Sequence, residues 1–107
     1  MSEGEIQDAV RLALAVVPGL VLWRNNVGVA EHWSPRGVQR TRYGLAPGSA
    51  DLIGCLNGRF IALEVKTPNG RLTSEQKAWL ALVERHGGLT AVVRSADDAL
   101  ATVRGWL

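Results

Sequence analysis

Two apolar runs at the centre of the chain flank the dipeptide Asn57-Gly58, which is the clearest structural signal in the sequence. Asn-Gly between apolar segments is the strongest short-range indication of a β-hairpin. The pattern therefore predicts two antiparallel strands within residues 50–66, with positions placed symmetrically about the Asn57-Gly58 bond lying opposite each other. Both faces of this hairpin are largely apolar, which predicts that helices cover the sheet on each side.

Apolar residues at helical or strand spacing predict the remaining elements around the hairpin. Pro18-Gly19 ends the first helix. Thr73 is followed three residues later by Gln76, which is the pattern of an N-terminal capping box. The predicted elements are a helix at 3–16, a strand at 20–26, the central hairpin at 50–66, a helix from Thr73 to about His86, a strand at 89–94 and a last helix that ends near Trp106.

The segment at 27–44 is compatible with two structures. Its two apolar and polar stretches could form the arms of a second hairpin around the turn-forming residues Ser34 to Gly37. They could equally form a mobile loop that carries several arginines. The sequence pattern does not distinguish these alternatives.

The order of these elements predicts an α/β fold in which a mixed β-sheet is flanked by α-helices. The strand–helix–strand unit at 59–94 implies a right-handed parallel connection, whereas the central hairpin is antiparallel. A chain of 107 residues is expected to form one domain, so we assign residues 1–107 to a single domain.

The composition is that of a globular protein, with 47% apolar and 21% charged residues. No apolar run approaches the ~20 residues needed to span a membrane, and the acidic first segment does not resemble a signal peptide. The single cysteine, Cys55, leaves no disulfide framework and no Cys/His zinc pattern within the chain. We therefore expect a protein of the reducing cytoplasm with no membrane partner.

Positive charge is concentrated between Val21 and Leu45, although the net charge of the whole chain is only +2. This segment contains four arginines and Glu31 as its one acidic residue. The arginines are Arg24, Arg36, Arg40 and Arg42. Such a cluster is typical of a surface that binds anions or nucleic acid, and the alternative is an ordinary solvated loop face.

The central hairpin places two carboxylates, Asp51 and Glu64, opposite each other. Opposed side chains in a hairpin have Cβ atoms roughly 4.5–5.5 Å apart, and like charges at that separation destabilise the strands. A shared divalent cation would relieve the repulsion, since Mg²⁺ binds one or two carboxylates together with waters and substrate phosphates. Lys66 points to the same face, two residues after Glu64. The alternative is a salt bridge between Lys66 and either acid.

These residues belong to a longer series of motifs that resembles the VRR-NUC family of the PD-(D/E)XK nuclease superfamily, in its small stand-alone form from phages and bacteria. The motifs are EIQ near the start, WRNNVG, GLAPGSADLIG, FIALEVKT, GRLTSEQKAWL and the Gly-Gly pair before the last strand. One departure is Ala50, which precedes Asp51 where the superfamily often has proline. Small residues are common there in this family.

The resemblance implies a restriction-endonuclease-like core that hydrolyses DNA phosphodiester bonds with Mg²⁺ or Mn²⁺. It implies that Asp51, Glu64 and the carbonyl of Val65 bind the metal, and that Lys66 positions or helps to deprotonate the attacking water. It also implies a location in the cytoplasm of a bacterial cell or of a phage-infected host. The helix glutamine of the family corresponds to Gln76, which we expect at the active centre or in its capping role alone.

A glutamate on the first helix completes the metal shell in the family, and Glu3 and Glu5 are both candidates here. At 100° per residue, Glu3 lies over Val10 and Leu14 on the inward face of the helix. Glu5 points about 160° away from Glu3, toward solvent. We therefore choose Glu3, whose alternative role is to complement the dipole at the helix start.

The expected partner is DNA, bound through basic and polar residues and recognised by structure rather than by sequence. The expected nucleic-acid-binding residues are Arg24, Asn25, Arg36, Arg40, Arg42 and Ser49. We expect branched DNA, such as a four-way (Holliday) junction, to be cut by a homodimer, with residues 27–44 and Trp33 as interface candidates. Alternatives are a flap- or single-strand-directed nuclease, an inactive DNA-binding module of the same fold, and a scaffold protein with an accidental acidic pair.

Overall fold

Three amphipathic helices and six strands form the protein in the computed structural model, which describes residues 1–107. The elements are α1 (Glu3–Leu14), β1 (Leu20–Arg24), β2 (Gly28–Ser34), β3 (Gly37–Tyr43), β4 (Leu52–Leu56), β5 (Arg59–Val65), α2 (Ser74–Arg85), β6 (Leu89–Val93) and α3 (Ala96–Trp106). This arrangement confirms the α/β class and is consistent with a restriction-endonuclease-like core. None of the helices has the length and apolar character needed to cross a membrane.

The main sheet has the strand order β1-β4-β5-β6. Its first two pairings are antiparallel and the β5–β6 pairing is parallel, so the predicted mixed sheet is confirmed. In the central hairpin, Leu52 lies opposite Leu63 and Leu56 lies opposite Arg59, which is the predicted symmetric register. Positive φ angles at Asn57 and Gly58 let the two strands join through a two-residue turn.

Helices pack on both faces of this sheet, as its two apolar faces predicted, but on the face covered by α2 the strand β1 stays exposed. On one face, α1 and α3 pack on β4 and β5 in the larger core cluster, which includes Val10, Leu52, Leu63 and Val103. On the other face, Leu80 of α2 packs against Ala62 of β5 and the loop residue Ala50, with Ile53 and Trp79 at the border. Two apolar layers therefore hold the central hairpin in place.

The helix starts follow the predicted chemistry, whereas several elements end one or two residues earlier than predicted. Thr73 and Gln76 form the predicted capping box of α2. The first helix ends at Leu14 rather than at residue 16, because the chain turns there toward Gly19, whose φ is positive. The first strand ends at Arg24 rather than at residue 26, because the Asn25 side chain is hydrogen-bonded to the loop that leads into β4.

Residues 27–44 form a hairpin, which decides between the two structures left open by the sequence. Strands β2 and β3 pair antiparallel from Gly28–Tyr43 to Ser34–Gly37 and make a separate two-stranded sheet. This sheet packs on no other helix or strand extensively, and it lengthens the molecule to 52 Å along its longest axis. A two-stranded sheet is at most marginally stable alone, so the arm depends on the rest of the chain for its stability.

Candidate metal centre

Several of the predicted site residues line a cleft at the open end of the central hairpin. The cleft has a volume of about 300 Å³. Its lining residues come from α1, from the end of β1, from the loop before β4, from β5 and from α2. They are Gln7, Arg24, Asn25, Asn26, Val27, Gly48, Ser49, Asp51, Glu64 and Gln76. A water molecule occupies about 30 Å³ of liquid, so the cleft has room for a hydrated ion and a phosphate group.

Three carboxylates meet at this cleft. Glu3, Asp51 and Glu64 each offer an oxygen atom, and these three atoms all lie within 4.8 Å of one another. The three side chains come from the first turn of α1, the approach to β4 and the end of β5. Elements far apart in sequence thus bring like charges together, which raises the free energy of the folded state unless a cation or a proton neutralises them.

Glu64 is the most constrained member of the cluster. Its side chain is only 1% exposed, and its Oε2 atom is buried with no hydrogen-bond partner. Its Oε1 atom accepts a hydrogen bond of 3.3 Å from Nε2 of Gln76. A buried carboxylate oxygen without a partner carries a large desolvation cost. This oxygen is therefore available to a proton or to a cation.

Gln76 acts at both ends of its amide. Its Nε2 donates to Glu64, while its Oε1 accepts a 2.9 Å hydrogen bond from the N–H of Thr73. The same residue therefore caps α2 and fixes one oxygen of Glu64. The two roles considered for Gln76 from the sequence coexist.

Asp51 and Val65 are joined directly, because Oδ2 of Asp51 accepts a 2.8 Å hydrogen bond from the N–H of Val65. In an extended strand the N–H and C=O of one residue point to the same edge. The carbonyl of Val65 therefore points to the side of β5 on which Asp51 lies. Both groups are oxygen donors available to a shared cation.

Lys66 is buried beside the acids but pairs with neither of them. Lys66 is only 7% exposed, and it forms no ion pair. The one ion pair in the protein joins Nε of Arg40 to Oε1 of Glu31 at 3.4 Å. The salt bridge that was the simpler explanation of the motif is absent. The Lys66 ammonium still lowers the pKa of Glu64, so it lies within electrostatic range of the carboxylates.

The cluster shifts the pKa of Glu64. Burial raises the pKa of the Glu64 carboxyl from its usual value of 4.5 to about 8. A hydrogen bond between the protonated carboxyl and Asp51, and the negative charge of Asp51, act in the same direction. The charge of Glu3 adds a smaller increase, and Lys66 opposes the shift. Without a cation, Glu64 therefore holds a proton near neutral pH.

The donor set fits a hard divalent cation. All the available ligands are oxygens, three of them from carboxylates, and such a set suits Mg²⁺ or Mn²⁺. A cation beside Oε2 of Glu64 would satisfy the one buried polar atom that lacks a partner. The oxygen ligands and the size of the cleft are therefore both compatible with a divalent cation.

The two glutamates of α1 have different surroundings in the structure. Glu5 belongs to a capping box, in which its Oε1 accepts from the N–H of Ser2 and its own N–H donates to Oγ of Ser2. The backbone hydrogen bond from Ser2 lowers the pKa of Glu5. Glu3 is the glutamate that lies with Asp51 and Glu64, on the side that the helical phase indicates.

The predicted DNA-binding residues fall into two groups. Arg24, Asn25 and Ser49 line the cleft, whereas Arg36, Arg40 and Arg42 lie on the β2–β3 arm outside it. The structure therefore does not bring all six into one surface.

Asn25 and Ser49 take part in a network that the sequence did not reveal. Nδ2 of Asn25 donates to Oγ of Ser49 and to the carbonyl of Ala50, both at 2.8 Å. Oγ of Ser49 donates to the carbonyl of Ala46, and Oδ1 of Asn25 accepts from the N–H of Leu45. These bonds hold the loop that delivers Asp51. The one sequence feature that could have indicated this network is the run of glycines and the serine before Asp51.

Comparison with known families agrees with this geometry. The chain matches the VRR-NUC domain over residues 3–97, and the protein therefore belongs to the VRR-NUC family, a PD-(D/E)XK-type nuclease family. A comparison with curated proteins found no match.

The raised pKa of Glu64 makes a prediction for the metal-free protein. The folded state holds a proton that the unfolded state releases above pH 4.5, so stability should fall as pH rises from about 4.5 to about 8. The slope from this group is at most about 1.4 kcal/mol per pH unit. Glu64→Gln should remove it. Urea unfolding in EDTA at several pH values measures the difference, because all other titrating groups are common to both proteins.

Glu5→Gln is the matched control, since glutamine also completes a capping box. It should leave the dependence of stability between pH 5 and 8 unchanged. Parallel pH profiles for wild type and Glu64→Gln would show that the Glu64 carboxyl is not perturbed.

Proposed function

We propose that this protein is a single-domain, divalent-metal-dependent DNA endonuclease that hydrolyses phosphodiester bonds. The observation that carries the proposal is the cluster of Glu3, Asp51 and Glu64, in which a buried Glu64 oxygen has no partner. Structural acidic residues are normally paired or solvated, whereas a metal-binding carboxylate has to keep a lone pair free. The family membership supports the same reaction.

The residues that would hold Mg²⁺ or Mn²⁺ are Glu3, Asp51, Glu64 and the carbonyl of Val65. When bound, such an ion acidifies a water molecule and stabilises the charge that develops on the phosphoryl oxygens. The protein contributes the placement of the ligands. Asp51 is fixed by the Val65 N–H, and Glu64 is fixed by Gln76.

Lys66 and Gln76 have distinct roles in this scheme. Lys66 has no ion-pair partner, so its ammonium is free to orient the attacking water or to stabilise negative charge on the phosphate. Gln76 acts by positioning Glu64, because one end of its amide is anchored to Thr73 and the other end holds the carboxylate. Gln76 would lower the barrier by positioning alone, whereas Lys66 would position or help to deprotonate the water, or stabilise charge on the phosphate.

Two surfaces are proposed to bind DNA. At the cleft, Arg24 is exposed and has no hydrogen-bond or ion-pair partner, which suits a contact to a backbone phosphate. Asn25 and Ser49 remain predicted DNA contacts, and their internal hydrogen bonds support an additional role in shaping the cleft wall. The second surface is the β2–β3 arm.

The arm has one face suited to nucleic acid. Because side chains alternate along a strand, Val29, Glu31 and Trp33 share a face with their cross-strand partners. Those partners are Arg42, Arg40 and Val38. Arg36 lies in the turn at the tip of the arm. Arginines beside an exposed tryptophan combine phosphate attraction with a stacking surface for an unpaired base.

We propose further that two copies act together on branched DNA. A small domain offers little surface for gripping a duplex, and a two-fold dimer would present two active sites to two strands. The protein has no recognition helix or zinc finger for reading base edges, so selection by the shape of the DNA is favoured over selection by sequence.

The first prediction concerns the chemistry itself. Asp51→Asn, Glu64→Gln and Lys66→Gln should each reduce DNA cleavage in Mn²⁺ or Mg²⁺ by at least about 100-fold, because each removes a metal ligand or a charge at the phosphate. Glu3→Gln should reduce activity, whereas Glu5→Gln on the same helix turn should not. The measurement is single-turnover cleavage of a labelled oligonucleotide, with circular dichroism to confirm folding. Full activity in EDTA would be incompatible with the proposed function.

The second prediction concerns the substrate. A four-way junction should be cleaved faster than a linear duplex built from the same strand sequences at physiological salt. Flap and single-stranded substrates of matched sequence distinguish the alternative specificities. Equal cleavage of linear and four-way DNA, or a strict requirement for one sequence, would refute the proposed structure selectivity.

The third prediction concerns the arm. Replacing Arg40 and Arg42 by glutamine should weaken DNA binding by a similar factor for all sequences and reduce the slope of log Kd against log salt by about 1 to 2. The matched control is Arg85→Gln with Arg104→Gln, two exposed arginines on α2 and α3. If both double variants change the salt slope equally, the arm is not a specific DNA-binding surface.

A further inference from the structure

One half of the main sheet has an apolar face that no helix covers. Leu20 and Leu22 of β1 pack against the core formed with α1 and α3, so alternation places Val21 and Trp23 on the opposite face. Helix α2 lies on this opposite face but packs against β6 and Ala62, away from β1. Val21 and Trp23 consequently remain 49% and 55% exposed.

The uncovered face continues across the neighbouring strands. Val21 is aligned with Cys55 of β4, and Cys55 is aligned with Phe60 of β5, which is 41% exposed. Trp23 is aligned with Ile53. These side chains carry no charge, so this face does not suit the phosphate backbone of DNA.

Strand β1 is also an open edge. Asn57 N–H donates to the carbonyl of Gly19, and Asn25 N–H donates to the carbonyl of Asp51, so odd-numbered residues direct their backbone groups toward β4. By alternation, the backbone groups of Leu20, Leu22 and Arg24 point away from β4. The N–H of Leu20 donates to the carbonyl of Val17 at 3.4 Å, which leaves the N–H and C=O groups of Leu22 and Arg24 and the carbonyl of Leu20 for another strand.

The two edge strands of the sheet, β6 and β1, differ in how far they are covered. Strand β6 is flanked by α2 and α3 and has no exposed residue. Strand β1 packs against helices on one face only and contains neither proline nor lysine, the residues that commonly block an edge. The unprotected edge is therefore β1.

We propose that β1 pairs antiparallel with β1 of a second copy of this chain, centred on Leu22. This surface rests on the dimer proposed above and specifies where the two copies meet. The register follows from the outward groups. Leu22 would exchange both backbone hydrogen bonds with Leu22 of the second copy, and the carbonyl of Leu20 would accept from the N–H of Arg24. Trp23 then lies opposite Val21 of the second copy, an aromatic–β-branched pair that stabilises cross-strand contacts.

A second copy fits this surface better than another partner does. An edge strand needs a strand of matching length, and a two-fold axis supplies one while closing the assembly, so no open fibre forms. The eight strands would make one continuous sheet. The two Arg24 residues, which line the two clefts, would lie roughly 14 Å apart at opposite ends of the paired strands.

The β2–β3 arm is a poorer site for self-association. It carries Arg36, Arg40 and Arg42 against Glu31 alone, so two copies of the arm would repel each other. The exposed Trp33 of the arm, at 82% exposure, nevertheless provides a matched control for the tryptophan on β1.

The test uses charge substitutions at the two positions that are paired in the proposed register. Sedimentation equilibrium of wild type should give twice the chain mass of 11.5 kDa. Val21→Glu alone and Trp23→Lys alone should each sediment as a monomer. Mixing them should restore a dimer, because the introduced carboxylate of one variant would then face the introduced ammonium of the other across the interface. The control Trp33→Lys should remain dimeric.

The outcomes separate this inference from the proposed function. A monomeric wild type, a dimeric Val21→Glu protein, or a mixture that stays monomeric would overturn the β1 interface. Dissociation by Trp33→Lys, with Val21→Glu still dimeric, would place the interface on the arm instead. Restoration of the dimer in the mixture also shows that both variants fold. Metal-dependent nicking of plasmid DNA, measured in parallel, tests the nuclease independently: its absence in a dimeric wild type would reject the function and leave the interface standing.

Discussion

The electrostatic repulsion between Asp51 and Glu64 is the constraint on which the rest of the structure depends. The hairpin places these carboxylates together, and the apolar layers on both sides of the sheet prevent water from screening Glu64. The protein could have relieved the repulsion with Lys66, which is buried next to the acids, but it leaves that lysine unpaired. It adds Glu3 instead, which increases the negative charge. Such an arrangement is stable only with a proton or a cation at the centre.

Competition between proton and cation gives the site its chemical character. A carboxyl group with a pKa of about 8 holds its proton at neutral pH when no metal is present. A divalent ion held by Glu3, Asp51 and Glu64 would have to replace that proton, so metal affinity should be coupled to pH. The surrounding hydrogen bonds leave Oε2 of Glu64 without a partner, whereas they fix Oε1 of Glu64 and Oδ2 of Asp51. Gln76 and the Val65 N–H each hold one carboxylate oxygen and leave the others available.

Much of this arrangement could be predicted from local rules. The Asn57-Gly58 turn determines the hairpin register, and the register places Asp51 and Glu64 together. Helical phase alone distinguished Glu3 from Glu5. The parts that could not be predicted depend on tertiary contacts. Alternation of residue types at 27–44 did not show whether the strands pair, because both faces of that arm are largely exposed.

The internal hydrogen bonds of Asn25 and Ser49 illustrate the same limit. They join positions 24 residues apart, and no local pattern encodes such a pairing. The sequence likewise did not show that Lys66 would remain unpaired, because a salt bridge and a free ammonium are compatible with the same spacing. Both features depend on the tertiary arrangement that places β1, β4 and β5 side by side.

The central claim is that the acidic cluster exists to bind a divalent cation. Anomalous X-ray scattering from crystals of the protein grown with millimolar Mn²⁺ tests it most directly, because the signal locates the ion without reference to activity. The account predicts one or more Mn²⁺ peaks coordinated by Glu3, Asp51 and Glu64, and no peak at this position in Glu64→Gln crystals. A wild-type map with no peak between these carboxylates, or with Mn²⁺ bound only elsewhere, would contradict it.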